Sequence, residues 1–244
     1  MDAPEDHEKA ARYCCSRQST PGAGLQTSRR RPLSWKSVAS SPAQKRRPAT
    51  TLVIACGALV RELGDIVAVN ELDFVTVECL PAKLHNTPEV ITAVVAARIE
   101  RARGRLQRHF VGYADCGTGG ELDRLLAKEG IERLPGASCY EFYATIPVLD
   151  MIHDSEPGTF YLTDYLARYF DLFVIRGLGL DRHPDLLDMY FSNFRRVMHL
   201  AQKDDSVMEQ AGRKAARRLD LDYERMLVKY GDLESTMVGL RSSP

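Results

Sequence analysis

The sequence predicts an α/β fold, a Rossmann-like three-layer sandwich with a mostly parallel sheet. Three observations predict it. From residue 50 onward, short apolar runs alternate with amphipathic stretches at the spacing of βαβ units. The first run, Thr51-Leu-Val-Ile-Ala55, is continuous rather than alternating, as a strand buried on both faces requires. Turn residues then punctuate the runs, at Cys56-Gly57, Asp115-Cys116-Gly117, Pro135-Gly136 and Arg176-Gly177.

Taken in order, Thr51–Ala55 is the first strand and Ala58 to Val69 has helical spacing. Phe74-Val-Thr-Val77 is a second strand, leading to Glu78-Cys79. After a loop bounded by Pro81 and Pro88, Glu89 to Leu106 alternates Ile, Val and Ala with arginines, as a long amphipathic helix does. Phe110-Val-Gly-Tyr113 is the third strand. Thr118 is placed to cap a helix from Glu121 to Glu129. Ile131 to Leu134 is a short fourth strand, and a helix begins near Cys139. Beyond it, Tyr161 to Phe170 reads as helix and Leu172-Phe-Val-Ile175 as strand. Pro184 to Arg195 reads as helix, Val197-Met-His-Leu200 as strand and Val207 to Leu219 as helix. Tyr230 to Glu234 reads as a helix boundary.

Residues 1–49 are different in texture. They are rich in Ser, Arg, Pro, Gln and Gly, and carry ten Lys/Arg against four Asp/Glu. Such a segment buries too little apolar surface to offset its chain entropy, so it is read as a disordered basic tail. Cys14, Cys15 and Trp35 lie in it and receive no chemical role. Residues 50–240 are read as a single α/β domain. Basic and acidic residues balance at 33 each, and the part after the tail is net acidic, so no nucleic-acid partner is expected. No run approaches the roughly 18 apolar residues of a membrane span, so no membrane association is expected either. Six cysteines without an export signal point to reduced thiols and a cytoplasmic location.

The cysteines carry the chemistry. Cys56, Cys79 and Cys116 each follow the end of a predicted strand, and Cys139 opens a helix shortly after the fourth. A parallel sheet puts all its carboxyl ends on one edge, where ligands of open α/β folds bind. Four thiols remote in sequence are therefore expected to converge, with His85 in the loop after the second strand as a further ligand. Soft sulfur donors select zinc or an iron–sulfur cluster. No C-x-x-C pair exists: the successive gaps are 23, 37 and 23 residues. The blander alternative is that each thiol is a small core residue.

Other candidates surround the cysteines. The turn Asp115-Cys116-Gly117-Thr118-Gly119-Gly120 offers backbone N–H groups for an anion, although it matches no nucleotide-binding pattern. Gly117, Gly119 and Gly120 are therefore candidate cofactor-binding residues. Arg176 and Arg182, in the loop Arg176-Gly-Leu-Gly-Leu-Asp-Arg-His-Pro184, are candidates for the same role. Asp115, Lys83 and Glu141 are the candidate catalytic residues. His109, His153 and His199 are read as structural.

Several motifs together resemble an uncharacterised bacterial and archaeal family, domain of unknown function 1638. They are Cys56-Gly-Ala-Leu59, Leu80-Pro-Ala-Lys-Leu-His85, Gly112-Tyr-Ala-Asp-Cys-Gly-Thr-Gly-Gly120, Cys139-Tyr-Glu141, Gly158-Thr-Phe-Tyr-Leu-Thr-Asp164 and the loop Arg176 to Pro184. The resemblance covers roughly residues 50–240. It implies an association with corrinoid-linked methyl transfer, and with a corrinoid protein or a small molecule as partner, but assigns no role to any residue.

The expectation is a cysteine-ligated metal or iron–sulfur protein, either an enzyme or an accessory factor in one-carbon metabolism. Two other classes compete. A metal-free thiol enzyme would use one nucleophilic cysteine, such as Cys116, with His85 as base. A non-catalytic module would bind a partner without turnover.

Overall fold

The computed structural model of the protein describes residues 50–241; the reading of residues 1–49 as a tail lies outside them. The chain is α/β with parallel sheets, as expected, but it builds two of them. The first has four strands in the order β2-β1-β3-β4, all parallel. These are β1 (Thr51–Cys56), β2 (Val75–Leu80), β3 (Arg108–Gly112) and the two-residue β4 (Glu132–Arg133). All six residues of β1 are buried, which explains its unbroken apolar run. Helices α1 (Val60–Val69), α2 (Ile91–Ala102) and α3 (Glu121–Glu129) make the crossovers. The helix expected over 89–106 is thus shorter, because Arg103 turns to a ψ of 126° and closes it.

After α4 (Cys139–Ala144) and α5 (Ile146–Ser155) a second sheet begins, in the order β5-β6-β7. Its strands are β5 (Thr159–Thr163), β6 (Arg196–Ala201) and β7 (Asp222–Leu227), again parallel. The single sheet expected from the sequence is corrected to two. A two-residue β4 is too short an edge to carry the sheet onward, and the helices after it lead the chain to a new one.

Alternate strand residues serve opposite faces of this second sheet. Leu162 and Val197 bury among Phe170, Val174, Ala215 and Leu219 on one side. Tyr161, Met198 and Leu200 pack with Ile152 and Ala144 on the other. The covering helices are α6 (Asp164–Arg168), α7 (Leu186–Phe191) and α8 (Ser206–Leu219). Tyr161 to Thr163 therefore belongs to a strand, with helix only from Asp164. Leu172 to Ile175 is no strand either: Asp171–Ile175 continues α6 as a widened π-type turn. A four-residue apolar block reads alike in a strand and in a buried helix.

Among the contacts that join the halves, two bear on the site. The last helix, α9 (Gly231–Gly239), returns to the first sheet and buries Leu233 and Met237 in its core. The single-turn helix Gly57–Leu59, just after β1, touches α6, just after β5, so the carboxyl ends of the two sheets meet. Among the described residues no helix is long and apolar enough to cross a membrane.

Candidate functional site

Strand order brings the cysteines to one edge. β1 lies between β2 and β3, so Cys56 at its end stands beside Cys79 near the end of β2 and the turn that follows β3. Gly57 allows the close approach: a Cβ there would stand 2.7 Å from the Leu80 carbonyl oxygen. Cys116 sits in that turn at a φ of 52°. Its N–H donates to the Ala137 carbonyl at 2.8 Å, and the Asp115 N–H donates to Gly136 at 3.0 Å. These two bonds tie the Cys116 turn to the loop that delivers Cys139 at the start of α4. None of the four is in a disulfide.

The thiols feel one another. Burial pushes Cys56 up to about 12, with the charges of Cys116 and Cys79 adding to it. Burial likewise raises Cys116 to about 11, and Asp115 adds to the shift. Cys139 is raised further, first by burial and then by Cys116 and Cys56. Cys56 thus lies within electrostatic reach of Cys79 and Cys116, and Cys139 within reach of Cys56 and Cys116.

His85 stands at the exposed rim with its Nδ1 3.6 Å from the Cys56 sulfur and 3.3 Å from the Ala82 carbonyl oxygen. A carbonyl only accepts, so the bond to Ala82 puts the proton on Nδ1. Nδ1 then cannot take a proton from Cys56, and Nε2 is the nitrogen left for a ligand. The imidazole lies nearly parallel to the Tyr113 ring, 6.2 Å away at 16°. Tyr113 is 1% exposed, and its hydroxyl faces the Cys56 thiol without a hydrogen bond of normal geometry. Sequence reasoning took Tyr113 as the end of a strand. Its position between β3 and Asp115-Cys116 was the available signal.

The other candidates have more local duties. The Asp115 carboxylate accepts from the Thr118 hydroxyl at 2.6 Å and from the N–H groups of Gly120 and Gly119 at 2.9 and 3.3 Å. These bonds, Thr118 foremost, hold its carboxyl below the usual range. The N–H groups of Gly119 and Gly120 are therefore spent on Asp115, and Thr118 braces that turn instead of capping α3. Gly117 packs against Pro88. Glu141 accepts from the Ala137 N–H at 2.9 Å and so fixes the loop before Cys139. Lys83, Arg176 and Arg182 are exposed. Arg176 is nonetheless near the rim, because its neighbour Gly177 lies against the Asn86 side chain.

A second polar group lies where the sheets meet. His199, fully buried, is 2.9 Å from Asp164 through Nε2 and 2.9 Å from the Tyr223 hydroxyl through Nδ1. Asp164 also accepts from the N–H groups of Gln202 and Lys203, both at 3.1 Å. His199 is structural in the sense expected, as the centre of a satisfied network. Glu62, buried in the first turn of α1, lies within the helix expected over Ala58 to Val69, and the sequence did not single it out.

As a metal site the donor set and its spacing differ in what they suit. Four thiols and one imidazole nitrogen are soft donors of the right kind. Among the described residues, however, no three His, Cys, Asp or Glu side chains are arranged to hold one metal ion. The residues do not fit a single closed zinc site, whose four ligands must crowd around one centre.

The family model described as protein of unknown function, DUF1638, matches residues 79–237. That is well over half the chain, which therefore belongs to this family. No curated protein and no solved structure matches it.

Proposed function

We propose that this member of the DUF1638 family is an iron–sulfur protein whose cluster is held by Cys56, Cys79, Cys116 and Cys139, with the Nε2 of His85 as an alternative or additional ligand. The observation that carries the reading is that Cys56, Cys79 and Cys116 lie at one sheet edge, with the Cys116 turn bonded to the loop that opens at Cys139; Cys56 is buried and the other three are partly so. Buried thiols with little cationic help are costly to ionise, and ligation to a metal removes that cost. A cluster spreads its iron atoms over a larger volume than one ion, so it suits thiols set too far apart for zinc. The cluster would supply one-electron redox chemistry or a soft Lewis acid. The protein's own residues shape the pocket: Tyr113 offers a hydroxyl beside Cys56, and Asp115 and Glu141 hold the turns that carry Cys116 and Cys139.

The raised thiols weigh against a metal-free nucleophile, since a nucleophilic cysteine needs its thiolate stabilised. The proton on the Nδ1 of His85 keeps that nitrogen from acting as a base toward Cys56. The family resemblance adds the setting we propose, corrinoid-linked methyl transfer with a small molecule or a corrinoid protein as partner. Arg176 and Arg182 would face an anionic group of that partner.

Single Cys→Ser variants at the four positions test the ligand set. The reading expects at least three of them to lose most of their bound iron while keeping the wild-type circular dichroism of the metal-free protein. Loss of function from one variant, with the other three near normal in every property, would instead point to a nucleophile.

A further inference from the structure

Glu62 is 6% exposed, and its Oε2 is sealed from solvent with no hydrogen-bond partner. It sits in the first turn of α1, three residues beyond the Gly57–Leu59 turn that touches α6. Asp164 on α6, Asp65 on α1 itself and Lys203 after β6 act on its charge. On the α4 side it acts on Tyr143 and, more weakly, on Cys139. Lys203 is engaged elsewhere, bonded to Asp65 at 2.6 Å. Asp164 already carries three hydrogen bonds and cannot relieve a second carboxylate within its reach.

We propose that Glu62 is a proton-operated lock on the seam between the two sheets. With its proton on, the carboxyl tolerates the dry junction and the Gly57–Leu59 turn closes on α6. With its proton off, a carboxylate is left buried without a hydrogen-bond partner, within reach of the Asp164 charge, and the seam must open to admit water. The device acts next to the thiols, since the same turn directly follows Cys56. It does not depend on whether the pocket holds a cluster.

The sign follows from linkage. Burial raises Glu62 from 4.5 to about 7, so the closed seam binds a proton that the open seam releases. The closed state is therefore favoured at low pH and loses ground as pH rises from the open-state value through the closed-state one. Above about 7 the loss is complete and no further change is expected.

Amide hydrogen exchange on the metal-free protein reads this directly. Exchange of residues 57–63 and 164–168 is measured at about pH 5 and about pH 8, relative to amides in the middle of α8 to remove the intrinsic pH dependence. Relative protection is expected to fall on the order of tenfold or more between the two, as a shift of this size allows. In Glu62→Gln, which keeps the shape without the charge, the relative protection should stay the same at both. A wild-type seam whose relative protection does not change would overturn the lock, whatever the variant does. So would a Glu62→Gln protein that keeps the wild-type step. Iron and sulfide content play no part in this result, so its failure and the failure of the cluster reading are separate outcomes.

Discussion

At the residue scale, the clearest oddity is a tyrosine hydroxyl with nothing to bond. Tyr113 is walled in by β3 and covered by His85, and its oxygen points toward the Cys56 sulfur. An unsatisfied buried hydroxyl carries a desolvation cost that phenylalanine would not. Tyr113→Phe is therefore expected to leave the metal-free protein as stable as wild type, within about 1 kcal/mol, or to stabilise it. The loaded protein should respond differently, with a changed visible spectrum, because the Cys56 sulfur then loses a hydroxyl donor. Thermal unfolding of one form and absorption of the other measure the two effects. At this scale the placement of Cys56, Cys79 and Cys116 at the carboxyl ends of parallel strands was legible in the sequence, because turn residues follow each strand's apolar run. Tyr113 and Glu62 were not. Their importance lies in what surrounds them, and a strand-end tyrosine or a first-turn glutamate looks ordinary without those neighbours. The glycines at 119 and 120 misled for the same reason: nothing in their spelling reveals that Asp115 reaches back to take their N–H groups.

At the element scale, the site depends on how closely β1, β2 and β3 lie at their carboxyl ends. Ala55 and Gly112 are partners in the register, and a Cβ on Gly112 would stand 2.8 Å from that of Ala55. Gly112→Ala should push the two strands apart and cost about 1–3 kcal/mol, the usual range for overpacking. Urea unfolding measures it, and iron incorporation should fall with it, since Cys56 and Cys116 lie just beyond. The first sheet was readable because its strands are strongly apolar and end in turn residues. The second was read only in part. β6 announces itself in Val-Met-His-Leu, but β7 spells Asp-Tyr-Glu-Arg-Met-Leu, and an edge strand with charged residues does not look like a strand. The run Leu172 to Ile175 erred the other way, its β-branched residues serving a helical turn that buries Val174 and Ile175.

At the scale of the whole molecule, two parallel sheets meet by their carboxyl ends, and the chemistry collects on both sides of that meeting. The thiols belong to the first sheet; the Asp164, His199 and Tyr223 network belongs to the second; Glu62 stands between them. Local sequence patterns predicted parallel sheets and the edge where a site would form, but whether later strands extend the first sheet or start another is decided by long-range pairing, which no local pattern records. The central claim, that the four thiols hold an iron–sulfur cluster, is tested most directly by iron and acid-labile sulfide on protein purified without oxygen. The account predicts both, in comparable amounts, with a visible absorption that the Cys→Ser variants lose. Protein with neither iron nor sulfide, and with all four thiols open to titration once it is unfolded, would contradict it.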